Sequence, residues 1–271
     1  MPLRSDLSHL LEPVLFLARE AGHRIMEIYA ADFDVEQKGD LSPLTAADLA
    51  AHDCLVEGLE ALTGYPILSE ESAALPFEER SKWDTYWLVD PLDGTKEFIK
   101  RNGEFTVNVA LIHRHQPVLG VVYVPALGVA YFAGVGGGAF RQNDGARPSP
   151  IRVASPAHHP LRVVGSRSHG SPEMERYLAG LGEHECLPVG SSLKFCRVAE
   201  GAADIYPRIG LTSEWDTAAA QCVVEQAGGA VVDLDGRPLR YNTKPSVLNP
   251  YFLVYGDKSR DWVKLAAGIV G

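Results

Sequence analysis

An uncharged and largely apolar stretch, Pro117 to Phe140, constrains the fold more than any other feature, because its length would allow a helix to span a membrane. The stretch contains six glycines and two prolines, and its middle consists of two apolar runs on either side of a Pro-Ala-Leu-Gly turn. Glycine and proline disfavour a helix, whereas two apolar runs joined by a tight turn are typical of a β-hairpin. The sequence therefore predicts a buried hairpin and no transmembrane segment.

The composition is that of a globular chain with a negative surface. The chain has 271 residues, 46% of them hydrophobic and 22% charged, with a formal net charge of -10. This charge opposes binding of a nucleic acid polymer by a general basic surface, and a small anionic ligand would need local cations. The four cysteines form no CxxC pair, and no secretory signal is recognisable at the N-terminus. We therefore expect reduced thiols and a cytoplasmic location.

Helical and extended patterns alternate along the first half of the chain. Apolar residues at helical spacing predict a helix over Leu7–Ala30, and a second helix is predicted over Asp48–Leu62. Strand-like runs follow at YPILSEE, TYWLVDP and FTVNVALIH, before the hairpin. The polar segment RQNDGARPSP then suggests a boundary between an N-terminal α+β half, residues 1–150, and a C-terminal α/β half, residues 151–271.

The second half alternates in the same way. The predicted helices are Pro172–Leu181, SSLKFCRVAEG with a serine cap, and WDTAAAQCVVEQAGG. The predicted strands are LRVVGSRS (followed by a turn), ADIYPRIG, AVVDLDG and YFLVYGD. Helices that alternate with mixed strands predict an α/β or α+β protein with a sheet in each half.

Acidic residues stand at the ends of apolar runs or at predicted helix starts, and these are Asp48, Glu70, Glu71, Asp90, Asp93 and Asp216. Ligand sites in α/β proteins collect at such positions, since loops converge there. Taken singly, each acid has an ordinary structural explanation as a helix cap, a solvated loop residue or part of a turn. Their common placement is what indicates a site.

Asp90 is the acid that is hardest to explain structurally. It follows Trp-Leu-Val and precedes a proline, so its backbone is extended and its carboxylate lies at a partly buried corner. No cationic side chain lies within the five residues before it, and an unpaired buried carboxylate is costly. A divalent cation would neutralise this charge. Oxygen ligands without a His/Cys cluster at zinc spacing favour Mg²⁺.

The segment DPLDGTKEF adds features that suit phosphate chemistry. Gly94 lets backbone amides approach an anion, and a helix is expected to start near Thr95. Two Mg²⁺ ions could polarise a phosphate ester and a water molecule on opposite sides of phosphorus. The rival D-x-D-G-T motif of haloacid-dehalogenase phosphatases has one residue fewer between its aspartates, and in a strand the longer spacing points the second carboxylate to the other side. We therefore expect two metal ligands and no phosphoenzyme.

LSEES, WLVDPLDGTKEF and SEWDTAAA, preceded by KGDLSPLTAAD, resemble in their order the motifs of the inositol monophosphatase superfamily. This superfamily consists of Mg²⁺-dependent, lithium-sensitive phosphatases with a layered α/β/α/β/α sandwich fold. The resemblance implies one metal ion bound by Glu70, Asp90 and the Leu92 carbonyl, and a second bound by Asp90, Asp93 and Asp216. A third, weaker ion would contact Glu70 through water.

The same resemblance implies how water is activated. Thr95 would orient the attacking water, Asp48 would support Thr95, and Glu70 would act as a catalytic residue through its water. The phosphate would rest on the metal ions and on the amides of Gly94 and Thr95. The geometry around the water, rather than a side chain with a lowered pKa, would then provide the general base.

GSRSH, GSSLKFC and IYPRIG are similar to the bacterial 3′(2′),5′-bisphosphate nucleotidase branch of this superfamily. That branch removes the 3′-phosphate of adenosine 3′,5′-bisphosphate, a by-product of sulfate assimilation. Lys194 and Arg208, with Arg167, could hold the second phosphate, and with the family motifs present we prefer this to the explanation of Lys194 and Arg208 as an ordinary helix cation and strand-end cation. The implied substrate-binding residues are Gly94, Thr95, Ser166, Ser191, Ser192, Lys194, Arg208 and Asp216.

Two other functions stay open on the same motifs. One is an inositol or sugar-phosphate monophosphatase. The other is a non-catalytic regulator that binds nucleotide or Mg²⁺ on a degenerate phosphatase fold. The resemblance is also compatible with a homodimer and with loose attachment to the cytoplasmic face of the inner membrane.

Overall fold

Two helices, α1 (Ser8–Ala30) and α2 (Pro43–Leu62), begin the fold in a computed structural model that describes residues 8–31, 43–72, 75–165 and 171–267. Helix α1 buries Val14, Ala18 and Ile25, which recur at helical spacing, so the predicted first helix is confirmed. The predicted start of α2 at Asp48 was wrong, because the helix begins at Pro43. A proline suits the first turn of a helix, where its missing N–H has no partner to lose.

A seven-stranded sheet follows among the described residues. Its strands lie side by side in chain order: β1 (Ile67–Ser69), β2 (Thr85–Asp93), β3 (Thr106–His113), β4 (Gln116–Val124), β5 (Val129–Gly134), β6 (Gly138–Asn143) and β7 (Ser149–Ile151). Strands β1 and β2 are parallel, and every later pair is antiparallel. Two short helices, α3 (Phe77–Arg80) and α4 (Thr95–Ile99), lie in the connections on either side of β2. The three strands predicted before the hairpin are confirmed.

The apolar stretch Pro117–Phe140 lies in three strands of this sheet. Strands β4 and β5 are joined by a 3-10 turn, Pro125–Leu127, that ends at Gly128 with φ 59°. Glycine adopts this left-handed conformation without steric cost, so the turn can close. The predicted hairpin is confirmed, and no helix in the described part of the chain combines the length and hydrophobicity needed to cross a membrane.

The second half forms a five-stranded sheet with the order β11-β12-β10-β8-β9. Its elements are β8 (Leu161–Gly165), α5 (Pro172–Leu181), β9 (His184–Pro188), α6 (Leu193–Ala199), β10 (Ile205–Arg208), α7 (Ala218–Gln226), β11 (Ala230–Asp233) and β12 (Phe252–Tyr255). The predicted helices and strands are confirmed, whereas β9 was not predicted. Most side chains of β9 are exposed or half-buried, so no apolar pattern marks it.

Three clusters of buried apolar residues fill the spaces between the layers. Helices α1 and α2 cover one face of the first sheet, while α6 and α7 pack between the two sheets. Helix α5 and a 3-10 turn, Lys264–Ala266, cover the outer face of the second sheet. The predicted layered α/β/α/β/α sandwich is therefore confirmed.

The division into halves 1–150 and 151–271 stays a prediction. The first sheet ends at Ile151 and the second begins at Leu161, but α7 from the second half packs on β4 and β5 of the first sheet. The middle layer therefore belongs to both halves. All four cysteines are free, as expected.

Candidate active site

Asp90 and Asp93 lie at the end of β2, and a β-bulge sets their direction. Asp90 pairs with Asn108 of β3 and Asp93 pairs with Thr106, with a register shift between the two aspartates. Thr106 and Asn108 are two residues apart and therefore share one face of the sheet. Strand partners share a face as well, so both aspartates lie on that face. Our expectation that the three-residue spacing turns Asp93 to the other side was wrong, since the bulge inserts the extra residue.

Glu70 reaches the same end of the sheet from β1. Because β1 and β2 are parallel and Ser69 pairs with Val89, the two strands end side by side. The Glu70 N–H donates to the Val89 carbonyl oxygen at 3.2 Å. Hydrogen bonding with the side chains of Asp90 and Trp215 lowers the pKa of the Glu70 carboxyl, against the larger rise caused by burial. Glu70 and Asp90 are therefore in direct contact.

Asp216 approaches from the segment before α7. The prediction that Asp216 opens this helix was inaccurate, because α7 begins at Ala218 with Thr217 at the N-cap position. Oδ2 of Asp216 accepts a hydrogen bond from the Ser213 N–H at 2.9 Å. This tight turn directs the carboxylate towards the end of β2, where it contributes to the raised pKa of Asp90.

The site runs from a buried centre to an open rim. Asp90 is 1% exposed, Asp93 and Asp216 are half-buried, and Glu70 and Thr95 are exposed. The Leu92 N–H donates to Oδ1 of Asp90 at 3.1 Å, and Leu92 is buried. A small solvent-borne ligand can therefore reach the rim while Asp90 stays at the floor.

The carboxylates repel one another strongly. Burial raises the pKa of Asp90 well above its ordinary value, and the charges of Asp93, Asp216 and Glu70 raise it further. Desolvation, followed by the charge of Asp93, raises the pKa of Asp216 to about 7. Desolvation and the charge of Asp93 also raise the pKa of Glu70. Without a cation, this group retains protons at pH values where ordinary carboxylic acids have lost them.

The predicted metal ligands thus form one electrostatic group. Within residues 8–31, 43–72, 75–165 and 171–267, however, no group of three or more His, Cys, Asp and Glu side chains is arranged to hold a metal ion. Asp90 is the one carboxyl group that is hydrogen-bonded to Glu70 among the described residues, so this contact involves two carboxyl groups and not three. Two carboxylates in contact must share either a proton or a cation, and oxygen-only donors suit Mg²⁺. The donor chemistry fits Mg²⁺, and the ligand geometry stays a prediction.

Asp48 lies in the second turn of α2 and faces the acidic group. Desolvation and the charges of Glu71 and Glu70 raise the pKa of Asp48 to about 8. Its side chain is hydrogen-bonded to Glu71, and its Oδ1 has no hydrogen-bond partner among the described residues. The predicted pairing of Asp48 with Thr95 stays a prediction. Glu71, which was expected only as a neighbour of Glu70, is the group that Asp48 contacts.

Gly94 and Thr95 form the start of α4, as predicted. Gly94 occupies the N-cap position with φ 102°, a conformation that favours glycine. A Cβ atom at Gly94 would lie 3.1 Å from the Cβ of Ser191 and 3.2 Å from the Cα of Phe105. The backbone therefore passes close to the segment before α6, and glycine is required there.

Two cations stand on the other side of Asp93. Lys194 of α6 is 7% exposed, and burial lowers its pKa to about 8 while the Asp93 carboxylate opposes the fall. Nη2 of Arg208 donates to the Leu211 carbonyl oxygen at 2.7 Å, and the charge of Arg208 further lowers the pKa of Lys194. The Lys194 charge in turn opposes the raised pKa of Asp93. Both cations therefore lie beside the acidic group.

The serines of the predicted substrate site have internal partners. Ser191 and Ser192 are 8% and 2% exposed. The Ser192 N–H donates to Oδ2 of Asp93 at 2.6 Å. A serine occupies the N-cap position of α6, as predicted, but the Ser192 side chain makes no cap bond and donates instead to Oδ1 of Asn108 at 2.7 Å. Ser166 and Arg167 lie outside the described residues, as does most of the KGDLSP motif.

Sequence reasoning missed Trp215, Thr106 and Asn108. Trp215 stands inside a motif that was recognised through Asp216, but nothing in its spacing predicts a bond to Glu70. Thr106 and Asn108 alternate with apolar residues in FTVNVALIH. Ala110 and Ile112 lie on the same face further along this strand and are buried in the core. A polar pair at the start of an otherwise apolar face was the signal that could have identified Thr106 and Asn108.

Comparison with known proteins agrees with the fold and with the family that the sequence resembles. Residues 6–260 match the inositol monophosphatase family. The 3′(2′),5′-bisphosphate nucleotidase CysQ of Escherichia coli O157:H7 is 52% identical over 90% of this chain and 99% of its own length. Its counterpart in Salmonella typhimurium is 53% identical with the same coverage.

Solved structures lead to the same family. CysQ from Bacteroides thetaiotaomicron, a bacterial member of the inositol monophosphatase family, has 43% identity and a TM-score of 0.85, covering 94% of this chain and 99% of its own. An inositol monophosphatase from Zymomonas mobilis has 25% identity and a TM-score of 0.79, covering 98% and 99%. With its layered fold and its ordered acidic motifs, this chain belongs to the inositol monophosphatase family.

Proposed function

We propose that this protein is a Mg²⁺-dependent phosphatase that hydrolyses the 3′-phosphate of adenosine 3′,5′-bisphosphate to AMP and phosphate. The observation that carries this proposal is the 52% identity, over 90% of the chain, to a protein named as a 3′(2′),5′-bisphosphate nucleotidase. The acidic group at the end of β2 supplies the chemistry that such a reaction requires.

Glu70, Asp90, Asp93, Asp216 and the Leu92 carbonyl would hold two Mg²⁺ ions, with Glu70 contacting a third through water. Bound Mg²⁺ would lower the pKa of water and neutralise charge on the phosphate. The raised pKa values of Asp90 and Asp216 support this ligand set, because a cation would replace protons that the group otherwise retains.

The remaining residues at the rim would orient the reactants. Thr95 is exposed at the start of α4, where its hydroxyl would hold the attacking water in line with phosphorus. Asp48 would support Thr95 from α2. The Gly94 and Thr95 amides at the start of α4 would hold the phosphate. No step requires a phosphoenzyme, since water attacks directly.

Lys194 and Arg208 favour a substrate with two phosphates. Both cations lie on the side of Asp93 that faces α6 and β10, in a protein whose net charge is -10. A second, non-reacting phosphate needs a local positive charge of this kind. Ser191, Ser192 and Ser166 complete the proposed substrate site. An inositol monophosphate has no second phosphate for Lys194 and Arg208 to bind.

An inositol or sugar-phosphate monophosphatase is the alternative, and the likeness to the Zymomonas mobilis inositol monophosphatase favours it. A non-catalytic nucleotide-binding regulator is opposed by the complete acidic set. We expect the protein to act in the cytoplasm, and a homodimer remains compatible with this function.

The decisive experiment compares substrates. Phosphate release is measured with adenosine 3′,5′-bisphosphate and with inositol 1-phosphate at equal Mg²⁺ concentrations, and chromatography identifies the nucleotide product. We expect 5′-AMP and a higher kcat/KM on the bisphosphate. Equal or greater kcat/KM on the inositol ester would contradict the proposed bisphosphate substrate. Absence of Mg²⁺-dependent hydrolysis of both compounds would contradict the proposed phosphatase activity.

A further inference from the structure

Polar side chains occupy the end of β3 that the segment before α6 contacts. Thr106 and Asn108 are 0% and 1% exposed, and they pair with Asp93 and Asp90 respectively. Residues that face each other across two antiparallel strands have Cβ atoms about 4.5–5.5 Å apart. Asn108 is therefore the side chain next to Asp90 on the neighbouring strand.

A chain of hydroxyl groups leads to Asn108. The Ser191 hydroxyl donates to Oγ1 of Thr106 at 3.2 Å, and the hydroxyls of Thr106 and Ser192 are 2.8 Å apart. The Ser192 hydroxyl donates to Oδ1 of Asn108 at 2.7 Å. Each hydroxyl has a single proton, and Ser192 at 2.8 Å is a better acceptor for the Thr106 proton than Oδ2 of Asp93 at 3.5 Å. The direction of the whole chain is therefore fixed by the amide at its end.

The amide nitrogen of Asn108 is the unsatisfied end of this chain. Nδ2 is buried and has no hydrogen-bond partner in the described part of the protein. The Ser192 hydroxyl fixes Oδ1 of Asn108 and leaves Nδ2 as the free donor, and Asp90 is the carboxylate that pairs with Asn108 across the two strands. Buried amide donors without a partner are rare, so this one requires an explanation.

We propose that Asn108 is a positioning residue that donates a hydrogen bond from Nδ2 to the Asp90 carboxylate in the Mg²⁺-bound protein, its amide being held in orientation by the hydroxyls of Ser192 and Thr106. This inference rests on the proposed function, in which Asp90 is a magnesium ligand. The Ser192 N–H that holds Asp93 belongs to the same turn. One short segment before α6 thus orients both aspartates, one through its backbone and the other through its side chains.

Hydrogen bonds to ligating carboxylates stabilise metal sites, and their loss typically weakens metal binding about 10- to 100-fold. Thr106 provides a test with two matched variants. Thr106→Val keeps the branched shape and removes the hydroxyl, whereas Thr106→Ser keeps the hydroxyl and removes a methyl group. A packing role would make the serine variant worse, while the hydroxyl chain makes the valine variant worse. The Thr106 hydroxyl also lies 3.5 Å from Oδ2 of Asp93, and Asn108→Asp separates the two effects because it leaves that contact in place.

The experiment measures Mg²⁺ binding by isothermal titration calorimetry in the absence of substrate. We expect Thr106→Val to weaken Mg²⁺ binding about 10-fold and Thr106→Ser to stay within about threefold of wild type. Equal affinities for the two variants, or a weaker serine variant, would overturn the inference. Absence of Mg²⁺ binding by the wild-type protein would instead overturn the proposed function.

Asn108→Asp provides a second test if Thr106→Val does not fold. Aspartate keeps an oxygen for the Ser192 hydroxyl, and it replaces the donor that we assign to Asp90 by a second acceptor. We expect Mg²⁺ affinity to fall about 10-fold or more. Wild-type affinity in a folded Asn108→Asp protein would show that Nδ2 does not act on Asp90.

Discussion

Trp215 acts on the Glu70 carboxyl through hydrogen bonding that opposes the rise of its pKa on burial, and it stands next to Asp216 in the chain. Glu70 follows β1 in the first half of the protein, whereas Trp215 precedes α7 in the second. This interaction therefore links the segment after β1 to the segment before α7 at the acidic group. Glu70 is therefore influenced by the segment that carries Asp216, and both residues are proposed metal ligands.

Trp215→Phe should weaken Mg²⁺ activation. Phenylalanine keeps most of the apolar ring and removes the N–H donor, so Glu70 loses its orientation while packing is largely kept. We expect the Mg²⁺ concentration for half-maximal phosphate release to rise about 10-fold, in the range known for partners of ligating groups.

Trp262→Phe is the matched control for this variant. Trp262 also donates its indole N–H, at 2.6 Å to the Asp257 carbonyl oxygen, but it lies in the outer core of the second sheet. The Trp262→Phe variant should have a lower melting temperature and an unchanged Mg²⁺ requirement. Similar shifts in both variants would indicate that Trp215 acts through general stability.

Asp90→Asn should abolish most of the turnover and yet stabilise the metal-free protein. Both principal metal ions depend on Asp90 in the proposed function, so we expect kcat/KM to fall by at least about 100-fold. The neutral amide removes repulsion with Asp93, Asp216 and Glu70. Thermal denaturation in EDTA at pH 8 should therefore show a higher melting temperature than wild type. Near wild-type turnover would refute the metal assignment.

The metal-free protein should lose stability as the pH rises. The pKa is raised to about 8 in Asp48 and to about 7 in Asp216, from an ordinary value of 3.8 in each case. The folded state therefore holds more protons than the unfolded state between about pH 4 and pH 8. This contribution is complete below about pH 4 and is lost as the pH rises through the folded-state values.

Differential scanning fluorimetry in EDTA from pH 5 to pH 9 measures this loss, and a parallel series with Mg²⁺ measures its reversal. Because protons compete with the metal ion, Mg²⁺ should raise the melting temperature more at pH 8 than at pH 6. A stabilisation by Mg²⁺ that is independent of pH would contradict proton displacement from these carboxylates.

Lys194→Gln should impair binding of the second phosphate more than the chemistry. Lys194 is buried beside Asp93 and carries its charge below its pKa of about 8. We expect KM for adenosine 3′,5′-bisphosphate to rise about 10-fold, whereas KM for 3′-AMP, which lacks the 5′-phosphate, should change little. This rise corresponds to a charge-assisted hydrogen bond of about 1.5 kcal/mol.

Lys100→Gln controls for the loss of one positive charge, because Lys100 is exposed at the end of α4. It should leave both KM values unchanged. An equal effect of Lys194→Gln on the bisphosphate and on 3′-AMP would assign Lys194 to the reacting phosphate or to the support of Asp93.

Local patterns predicted most of the secondary structure. The helical spacing of α1, the turn between β4 and β5, and the helix Pro172–Leu181 depend on neighbouring residues, and the structure confirms them. The start of α2 was misplaced because Asp48 was interpreted as a helix-opening residue. Strand β9 lacked a local signal, since its existence depends on pairing with β8.

The sequence by itself determined the class of fold, the family and the acidic residues of the candidate site, because these are carried by motifs of a few adjacent residues. Only the tertiary structure decided which carboxylates touch. The bulge that returns Asp93 to the face of Asp90, and the bond from Ser192 to Asp93 across 99 positions of the chain, depend on strand register and on packing between distant segments. Register and packing are set by the whole core, and no short stretch of sequence encodes them.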